Sequence, residues 1–142
     1  MAVTSFKIVA NGDGAVGKTS LLTVLNNQPF PERYVPTIFE NYTQDVIVEG
    51  TQYQLCIWDT AGQDDFDRLR PLSYSNAKAV IMCFAVNSRP SFNNLTQKWM
   101  GEIKHYCPDA KIILVATKTD LRAGCDDAVT TAEAQKFVTD NK

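Results

Sequence analysis

The stretch that decides the fold is a glycine-rich run that ends in Lys-Thr: Gly12-Asp13-Gly14-Ala15-Val16-Gly17-Lys18-Thr19. An apolar segment, Phe6–Ala10, precedes it, and Ser20–Leu25, which favours a helix, follows it. The pattern Gly-x4-Gly-Lys-Thr between a strand and a helix is typical of a loop whose backbone amides bind a phosphate, helped by the helix N-terminus. We therefore predict a strand, a phosphate loop (Gly12–Thr19) and a helix.

The next strands come from apolar runs. Asp45–Val48 and Tyr53–Trp58 flank a turn and predict an antiparallel hairpin. The uninterrupted apolar run Ala79–Val86 favours a parallel strand buried on both faces, and Ile112–Val115 favours another buried strand. Two stretches are predicted to be irregular, Gln28–Tyr42 with its three prolines and about Asp59 to Ser75.

Two further helices follow from apolar spacing. Ser91 is predicted to cap a helix whose inward face carries Phe92, Leu95, Trp99 and Ile103. Thr131 is predicted to cap a final helix, with Glu133 in its first turn and an inner stripe of Ala134, Phe137 and Val138. Strands that alternate with helices predict an α/β fold: a mainly parallel sheet with one antiparallel hairpin strand, helices on both faces, and a ligand at the carboxyl ends of the strands.

Composition limits the class of protein. The 142 residues suit one domain, predicted to span 1–142, and 44% are hydrophobic, which excludes a disordered chain. The formal net charge of -2 gives no electrostatic basis for nonspecific nucleic-acid binding. The sequence has no apolar run near the roughly 20 residues that span a bilayer, no secretion signal and no CxxC pair, so we expect a reducing, cytoplasmic location.

Two further motifs follow predicted strands and suit a nucleotide. Asp59-Thr60-Ala61-Gly62 would place a carboxylate near Mg2+ through a water and the Gly62 amide at the γ-phosphate, while Lys18 contacts the β- and γ-phosphates and Thr19 ligates Mg2+. In Thr117-Lys118-Thr119-Asp120, the Asp120 carboxylate can accept from N1 and N2 of guanine, a donor pattern that adenine lacks. Lys118 and Phe30 would cover the two faces of the base.

These motifs make the chain resemble the Ras-like small GTPases, which have the P-loop NTPase fold, and within them the Rho family. The resemblance covers essentially the whole chain. The segments that carry it to the Rho family are Phe30–Tyr42, Trp58–Gln63, Asp67–Tyr74 and Glu102–Pro108.

The resemblance implies a role for several residues. Thr37 would give Mg2+ a hydroxyl and the γ-phosphate an amide, Gln63 would orient the attacking water, and Tyr34 would lie over the phosphates. A side chain at Gly14 would crowd Gln63. The implied catalytic residues are Gln63, Lys18, Thr37 and Gly62; the metal ligands are Thr19, Thr37 and, through water, Asp59; and the nucleotide contacts are Gly12, Asp13, Gly14, Ala15, Val16, Gly17, Lys18, Thr19, Ser20, Phe30, Tyr34, Pro36, Thr37, Asp59, Thr60, Ala61, Gly62, Thr117, Lys118, Asp120 and Leu121.

The resemblance also implies partners and a biological role. Exchange factors, GTPase-activating proteins and effectors would bind through apolar residues in or beside the switch loops: Phe39, Trp58, Phe66, Leu69 and Leu72. Ordinary core packing is the alternative for these residues, and for Trp58 and Phe66 we favour the partner surface. Control of the actin cytoskeleton is expected from the Rho resemblance alone.

The chain departs from the family pattern at several points. No helical insert follows Asp120-Leu121-Arg122, and Asn11 replaces an aliphatic residue, either bonding the loop backbone or facing water. Arg33 either stabilises the transition state in cis or is simply solvated. A final strand, a final helix and a prenylated tail for the plasma membrane are not present before Lys142, so we expect a longer protein or another cover for that face.

Three classes of function are compatible with a phosphate loop of this kind. The leading hypothesis is a GTP-hydrolysing switch that binds effectors in its GTP state. A nonhydrolysing GTP-binding scaffold is the alternative, and Gln63, Gly14, Thr37 and Lys18 argue against it. A P-loop kinase is a third reading, which the guanine motif disfavours.

Overall fold

The computed structural model describes residues 3–33 and 39–141, with Phe39 described through its backbone only. Five strands form one sheet in the order β2-β3-β1-β4-β5. The strands are β1 (Thr4–Asn11), β2 (Phe39–Val48), β3 (Thr51–Thr60), β4 (Ala79–Ala85) and β5 (Lys111–Thr117). Only the β2–β3 pair is antiparallel among these strands, which confirms the predicted fold class.

Helical elements connect the parallel strands. Helix α1 (Lys18–Leu25) follows β1, and α4 (Thr131–Asp140) ends the described chain. Between β4 and β5, α2 (Arg89–Asn94) continues through a π-helical turn (Leu95–Trp99) into α3 (Met100–Tyr106). Short 3-10 turns lie at Asp64–Phe66, Arg70–Ser73 and Thr119–Gly124. Within the described ranges, no helix combines the length and apolar character that crossing a bilayer requires.

The core lies on both faces of the sheet. On one face, residues of β4 such as Val80 and Phe84 pack against Leu95, Trp99 and Ile103, as the predicted helix stripe requires, and Phe92 is partly buried there. On the other face, Leu22 of α1 packs against Ala10 and Ile57. Strands β1 and β4 lie inside the sheet, and the phosphate loop packs on their carboxyl ends.

The hairpin differs in detail from its prediction. Its turn has two residues, Glu49 and Gly50, with φ of 50° and 79°, so both adopt the left-handed backbone that two-residue hairpins need. The strands are accordingly longer than predicted, and β2 begins at Phe39, within the stretch Gln28–Tyr42 expected to be irregular. The start of β2 is a strand because its backbone pairs with β3, and this pairing cannot be predicted from the local sequence.

Both predicted helix caps are wrong by position. Helix α2 begins after Ser88, whose side chain accepts from the Ser91 amide at 3.4 Å, because a proline suits the first turn and the helix starts before it. Helix α4 is capped by Thr130, whose hydroxyl accepts from the Glu133 amide at 3.1 Å. The Glu133 carboxylate accepts from the Thr130 amide at 2.8 Å, which completes a capping box.

Strand β5 and helix α4 are more exposed than predicted. Ile113 is 51% exposed, Ile112 38% and Val138 45%, so the fully buried strand and the inner position of Val138 are wrong. Strand β5 pairs with β4 on one side only in the described sheet, which leaves its other flank uncovered. Ala134 and Phe137 do pack against the core.

Candidate functional site

The phosphate loop needs glycine at its first position. Gly12 has φ of 135°, and a Cβ there would lie 2.3 Å from the Cys83 carbonyl oxygen of β4. Gly17, with φ of 99°, is the N-cap of α1 and joins the loop to the first turn of the helix. The loop therefore lies directly on the central strands, with its amides at the end of a helix.

Lys18 is a buried cation inside this loop. It is 5% exposed, and its Nζ donates to the carbonyl oxygens of Gly12 at 2.8 Å and Asp13 at 2.7 Å. Burial lowers the pKa of Lys18 to about 8, with the nearby Asp59 charge acting in the opposite direction. An anion in the loop would favour the charged form of this side chain.

Asp59 and Thr19 form the oxygen-rich part of the site. Thr19 Oγ1 donates to Asp59 Oδ2 at 2.6 Å, and Asp59 is fully buried at the end of β3. Its Oδ1 accepts no hydrogen bond from the part of the chain that the structure describes. Burial raises the pKa of Asp59, while the Thr19 hydrogen bond and the Lys18 charge lower it.

This oxygen set fits Mg2+. A buried carboxylate oxygen beside a hydroxyl offers the hard ligands that Mg2+ prefers. Across residues 3–33 and 39–141, no cluster of three or more His, Cys, Asp and Glu is arranged to hold a metal. Mg2+ characteristically takes one or two protein ligands together with phosphates and waters, so the two side chains are sufficient.

Gly62 and Gln63 approach the same loop from the other side. A Cβ on Gly62 would lie 2.2 Å from the Gly12 carbonyl oxygen, so this backbone contact requires glycine. A Cβ on Gly14 would lie 3.2 Å from Gln63 Cδ, so the glutamine side chain lies against the loop. The phosphate loop and the segment Asp59–Gln63, which are far apart in sequence, are therefore in direct contact.

A cavity of about 320 Å³ lies over the phosphate loop. Phe30, 67% exposed, lies on its wall, and so does the exposed Arg33, whose role stays a prediction. Pro31 and Glu32 also line it, and sequence reasoning missed them although they follow Phe30 directly. The lining residues are Gly14, Ala15, Gly17, Lys18, Thr19, Ser20, Phe30, Pro31, Glu32, Arg33, Thr60, Gly62, Gln63 and Lys118.

The guanine motif lies at the carboxyl end of β5. Lys118 has φ of 58°, and its Nζ donates to the Ala15 carbonyl oxygen at 2.9 Å, which joins this motif to the phosphate loop. Thr117 Oγ1 donates to the Val16 carbonyl oxygen. Asp120 and Leu121 lie on the exposed 3-10 turn that follows, and neither lines the cavity.

The remaining predicted contacts occupy supporting positions. Val16 is buried under the loop, and Thr60 Oγ1 donates to the Ala10 carbonyl oxygen at 2.7 Å. The Ala61 carbonyl oxygen accepts from Arg70 Nη1 at 2.7 Å. Tyr34, Pro36 and Thr37 lie outside the described residues, and so does the side chain of Phe39.

A second cavity, about 280 Å³, lies beside the site. Trp58 and Phe66 are half-buried in its wall, while Leu69 and Leu72 are 53% and 72% exposed. Trp58 also packs against the core, and Lys7 Nζ lies 3.7 Å from the centre of its ring. Core packing and surface exposure therefore coexist at Trp58.

Asn11 follows neither of the alternatives expected for it. It is fully buried, and its Nδ2 donates to the Tyr74 hydroxyl at 3.0 Å. That hydroxyl donates to Glu102 Oε2 at 2.7 Å, and Glu102 accepts from Arg70. Asn11 thus joins the end of β1 to a buried polar network, a contact with no local signal in the sequence.

Comparison with known proteins gives one consistent result. The sequence model described as Ras family matches residues 7–142. The chain is 55% identical over 123 residues to the Rho-related GTP-binding protein RhoB of Homo sapiens, and equally to that of Mus musculus. Each match covers 87% of this chain and 63% of the relative, so the chain spans less than two thirds of these relatives' length.

Proposed function

Because this chain belongs to the Ras family and, within it, to the Rho-type small GTPases, we propose that it is a GTP-hydrolysing switch. It binds GTP with Mg2+, hydrolyses it slowly to GDP and phosphate, and contacts effectors in the GTP state. The single observation that supports this most strongly is the buried Lys18 inside a glycine loop, next to the Asp59 carboxylate. Burial of a cation is costly, and an anion in the loop would compensate its charge more fully than the two neutral carbonyl oxygens do.

The proposed binding follows from the site. The phosphate loop amides and the start of α1 receive the phosphates, and Lys18, whose ammonium has three donors, adds phosphate oxygens to its contacts with the Gly12 and Asp13 carbonyls. Thr19 directly and Asp59 through a water would hold Mg2+, which would neutralise charge on the phosphates. Lys118 and Phe30 flank the base, and Asp120 accepts hydrogen bonds from N1 and N2 of guanine.

In the proposed reaction a water oxygen attacks the γ-phosphorus. The bond from that phosphorus to the bridging oxygen breaks, GDP leaves, and the water's protons go to the released phosphate and solvent. Gln63 orients the water, and its position against Gly14 supports this role. Lys18 and the Gly62 amide stabilise the negative charge on the transferred group.

In the proposed switch, loss of the γ-phosphate changes the conformation of the two loops that contact it. The contacts of Gly62 and Thr37 with that group disappear on hydrolysis, and both loops relax. Effectors, exchange factors and activating proteins bind near the second cavity, where exposed Leu69 and Leu72 support an apolar contact. For the full-length protein, the proposal includes control of the actin cytoskeleton and a lipid tail at the plasma membrane.

Single-turnover hydrolysis tests the proposal. The protein is loaded with GTP, and phosphate release is compared with that of Gln63→Leu and of Gln52→Leu, a matched substitution at an exposed position of β3. We expect Gln63→Leu to slow release by at least about 10-fold at unchanged GTP affinity, and Gln52→Leu to have no effect. Tight GTP binding without hydrolysis by the unsubstituted chain would favour the scaffold instead.

A further inference from the structure

Hydrogen bonds from residues at the two ends of the π-helical turn Leu95–Trp99 connect the helical run α2–α3 to the phosphate loop. Asn94 Nδ2 donates to Asp13 Oδ2 at 2.7 Å, and Trp99 Nε1 donates to Asp13 Oδ1 at 2.8 Å. These two donors are five residues apart, which in a regular α-helix would place them about 140° apart around the axis. A π turn bonds residues five apart and brings both donors to one side, so one carboxylate receives both hydrogen bonds.

The same tryptophan contacts the loop that follows Gly62. Two cations lie close to its ring, with Arg70 Cζ 4.5 Å and Lys98 Nζ 4.8 Å from the ring centre. Lys98 Nζ pairs with Asp64 at 2.6 Å and with Asp67 at 3.0 Å. Trp99 is fully buried, so its ring cannot turn without displacing these groups.

We propose that Trp99 is a positioning residue that couples the segment Asp64–Arg70 to the phosphate loop. The Trp99 ring contacts Arg70 of that segment and Lys98, which pairs with the segment's Asp64 and Asp67. Its Nε1 donates to the Asp13 carboxylate. The inference rests on the proposed function, because its consequence is a nucleotide that dissociates faster when the segment moves.

Asp13 transmits the effect because two of its groups have different partners. Its carboxylate is held by Asn94 and Trp99, while its carbonyl oxygen accepts from Lys18 Nζ. Displacement of the carboxylate therefore moves the backbone next to the cation that meets the phosphates. A partner that pulls Asp64 or Asp67 away from Lys98 would loosen the phosphate loop without touching the nucleotide.

The first test is a double-mutant cycle on the rate of GDP dissociation. Trp99→Phe keeps an aromatic ring for the two cations and removes the Nε1 donor, and Lys98→Met keeps much of the aliphatic stem and removes the charge. We expect dissociation to become about 10-fold faster in Trp99→Phe and about 3-fold faster in Lys98→Met. Because the link to Asp13 is already broken, Lys98→Met should add nothing to Trp99→Phe.

Matched variants separate this coupling from a general loss of packing. Lys104→Met changes an exposed lysine on the same helical run and should leave dissociation unchanged. Asn94→Ala removes the other donor to Asp13 and should also accelerate dissociation, even if Trp99→Phe folds poorly. Fully multiplicative effects of the two substitutions in the cycle, or unchanged rates in both Trp99→Phe and Asn94→Ala, would overturn the proposal.

Hydrogen exchange tests the coupling apart from the proposed function. In the protein as purified, amides of residues 12–19 should exchange several-fold faster in Trp99→Phe and in Lys98→Met, but not in Lys104→Met. Unchanged exchange in both would refute the positioning role, whether or not the chain binds nucleotide. Faster exchange with no guanine nucleotide bound by the unsubstituted chain would instead support the coupling and reject the proposed function.

Discussion

The two ends of the candidate site are built differently. At the phosphate end, Gly12–Thr19 with Asp59, the loop lies on central strands and Lys18 and Asp59 are buried. At the base end, Thr117–Leu121, the residues lie at and beyond the end of β5, an edge strand of the described sheet, and Asp120 and Leu121 are exposed. One end is held by the core, and the other by local turns and a few contacts.

This difference separates two kinds of function. The phosphate end is packed into the core, so substitutions there should change folding and binding together. The base end is exposed and makes few contacts with the core. Substitutions there should change the affinity for nucleotide and leave the free energy of unfolding nearly unchanged. Gly12→Ala and Asp120→Ala separate these two kinds of function directly.

Gly12→Ala should be the most damaging substitution. The added Cβ would meet the Cys83 carbonyl oxygen at 2.3 Å in a left-handed backbone, so we expect a loss of at least about 3 kcal/mol in the free energy of unfolding, measured by urea denaturation. Gly101→Ala is the control, since its Cβ would meet nothing within 4 Å, and on helix propensity it should stabilise by up to about 1 kcal/mol. Equal effects of the two would remove the contrast between core-held and exposed positions.

Asp120→Ala should weaken GDP binding by about 100-fold or more, because two hydrogen bonds to a charged acceptor are lost. The urea midpoint of the nucleotide-free protein should stay close to that of the unsubstituted chain. Binding is measured by titration with a fluorescent GDP analogue. A fall in stability comparable to that of Gly12→Ala would show that the base end is structural as well.

Asn11→Val should change the free energy of unfolding by less than about 1 kcal/mol. The substitution loses the hydrogen bond to the Tyr74 hydroxyl but also removes Oδ1, a buried acceptor with no hydrogen bond among the described residues. Tyr74→Phe is the comparison and should cost about 1–3 kcal/mol, since it leaves the buried Asn11 amide and the part-buried Glu102 carboxylate without the hydroxyl. The reverse order in urea denaturation would mean that Asn11 carries the network.

Glu133→Gln should give the smallest effect, and only at pH values where the Glu133 carboxyl is ionised. The hydrogen bond from Arg89 and that from the Thr130 amide lower the pKa of Glu133 from its usual 4.5 to about 2. The stabilisation is therefore complete above pH 4.5 and is lost as the pH falls toward 2. Urea midpoints of the two proteins should differ at pH 7 and converge near pH 2, and a constant difference would contradict this.

The sequence predicted those parts of the molecule in which residue type alone fixes the local geometry. The phosphate loop requires glycine and is predicted from Gly12 and Gly17, and the mainly parallel sheet is predicted from the alternation of strands and helices. The buried stripe of Leu95, Trp99 and Ile103 follows from helical spacing. In each of these cases a single physical rule acts over a few neighbouring residues.

The features that the sequence did not reveal depend on contacts between distant residues. The Asn11–Tyr74 hydrogen bond spans 63 positions, and the two bonds to Asp13 span 81 and 86. The π turn that makes the latter possible has no signature in apolar spacing. Helix α2 is capped by Ser88 and not by Ser91 because proline fits the first helical turn, so the helix begins before Pro90.

The nucleotide carried by the purified protein tests the central claim most directly. The protein is denatured, and the released small molecule is separated and identified by chromatography and mass spectrometry, with Asp120→Ala treated in parallel. The account predicts GDP or GTP from the unsubstituted protein and much less from the variant. Adenine nucleotide, or an empty site that does not take up GTP with Mg2+, would contradict it.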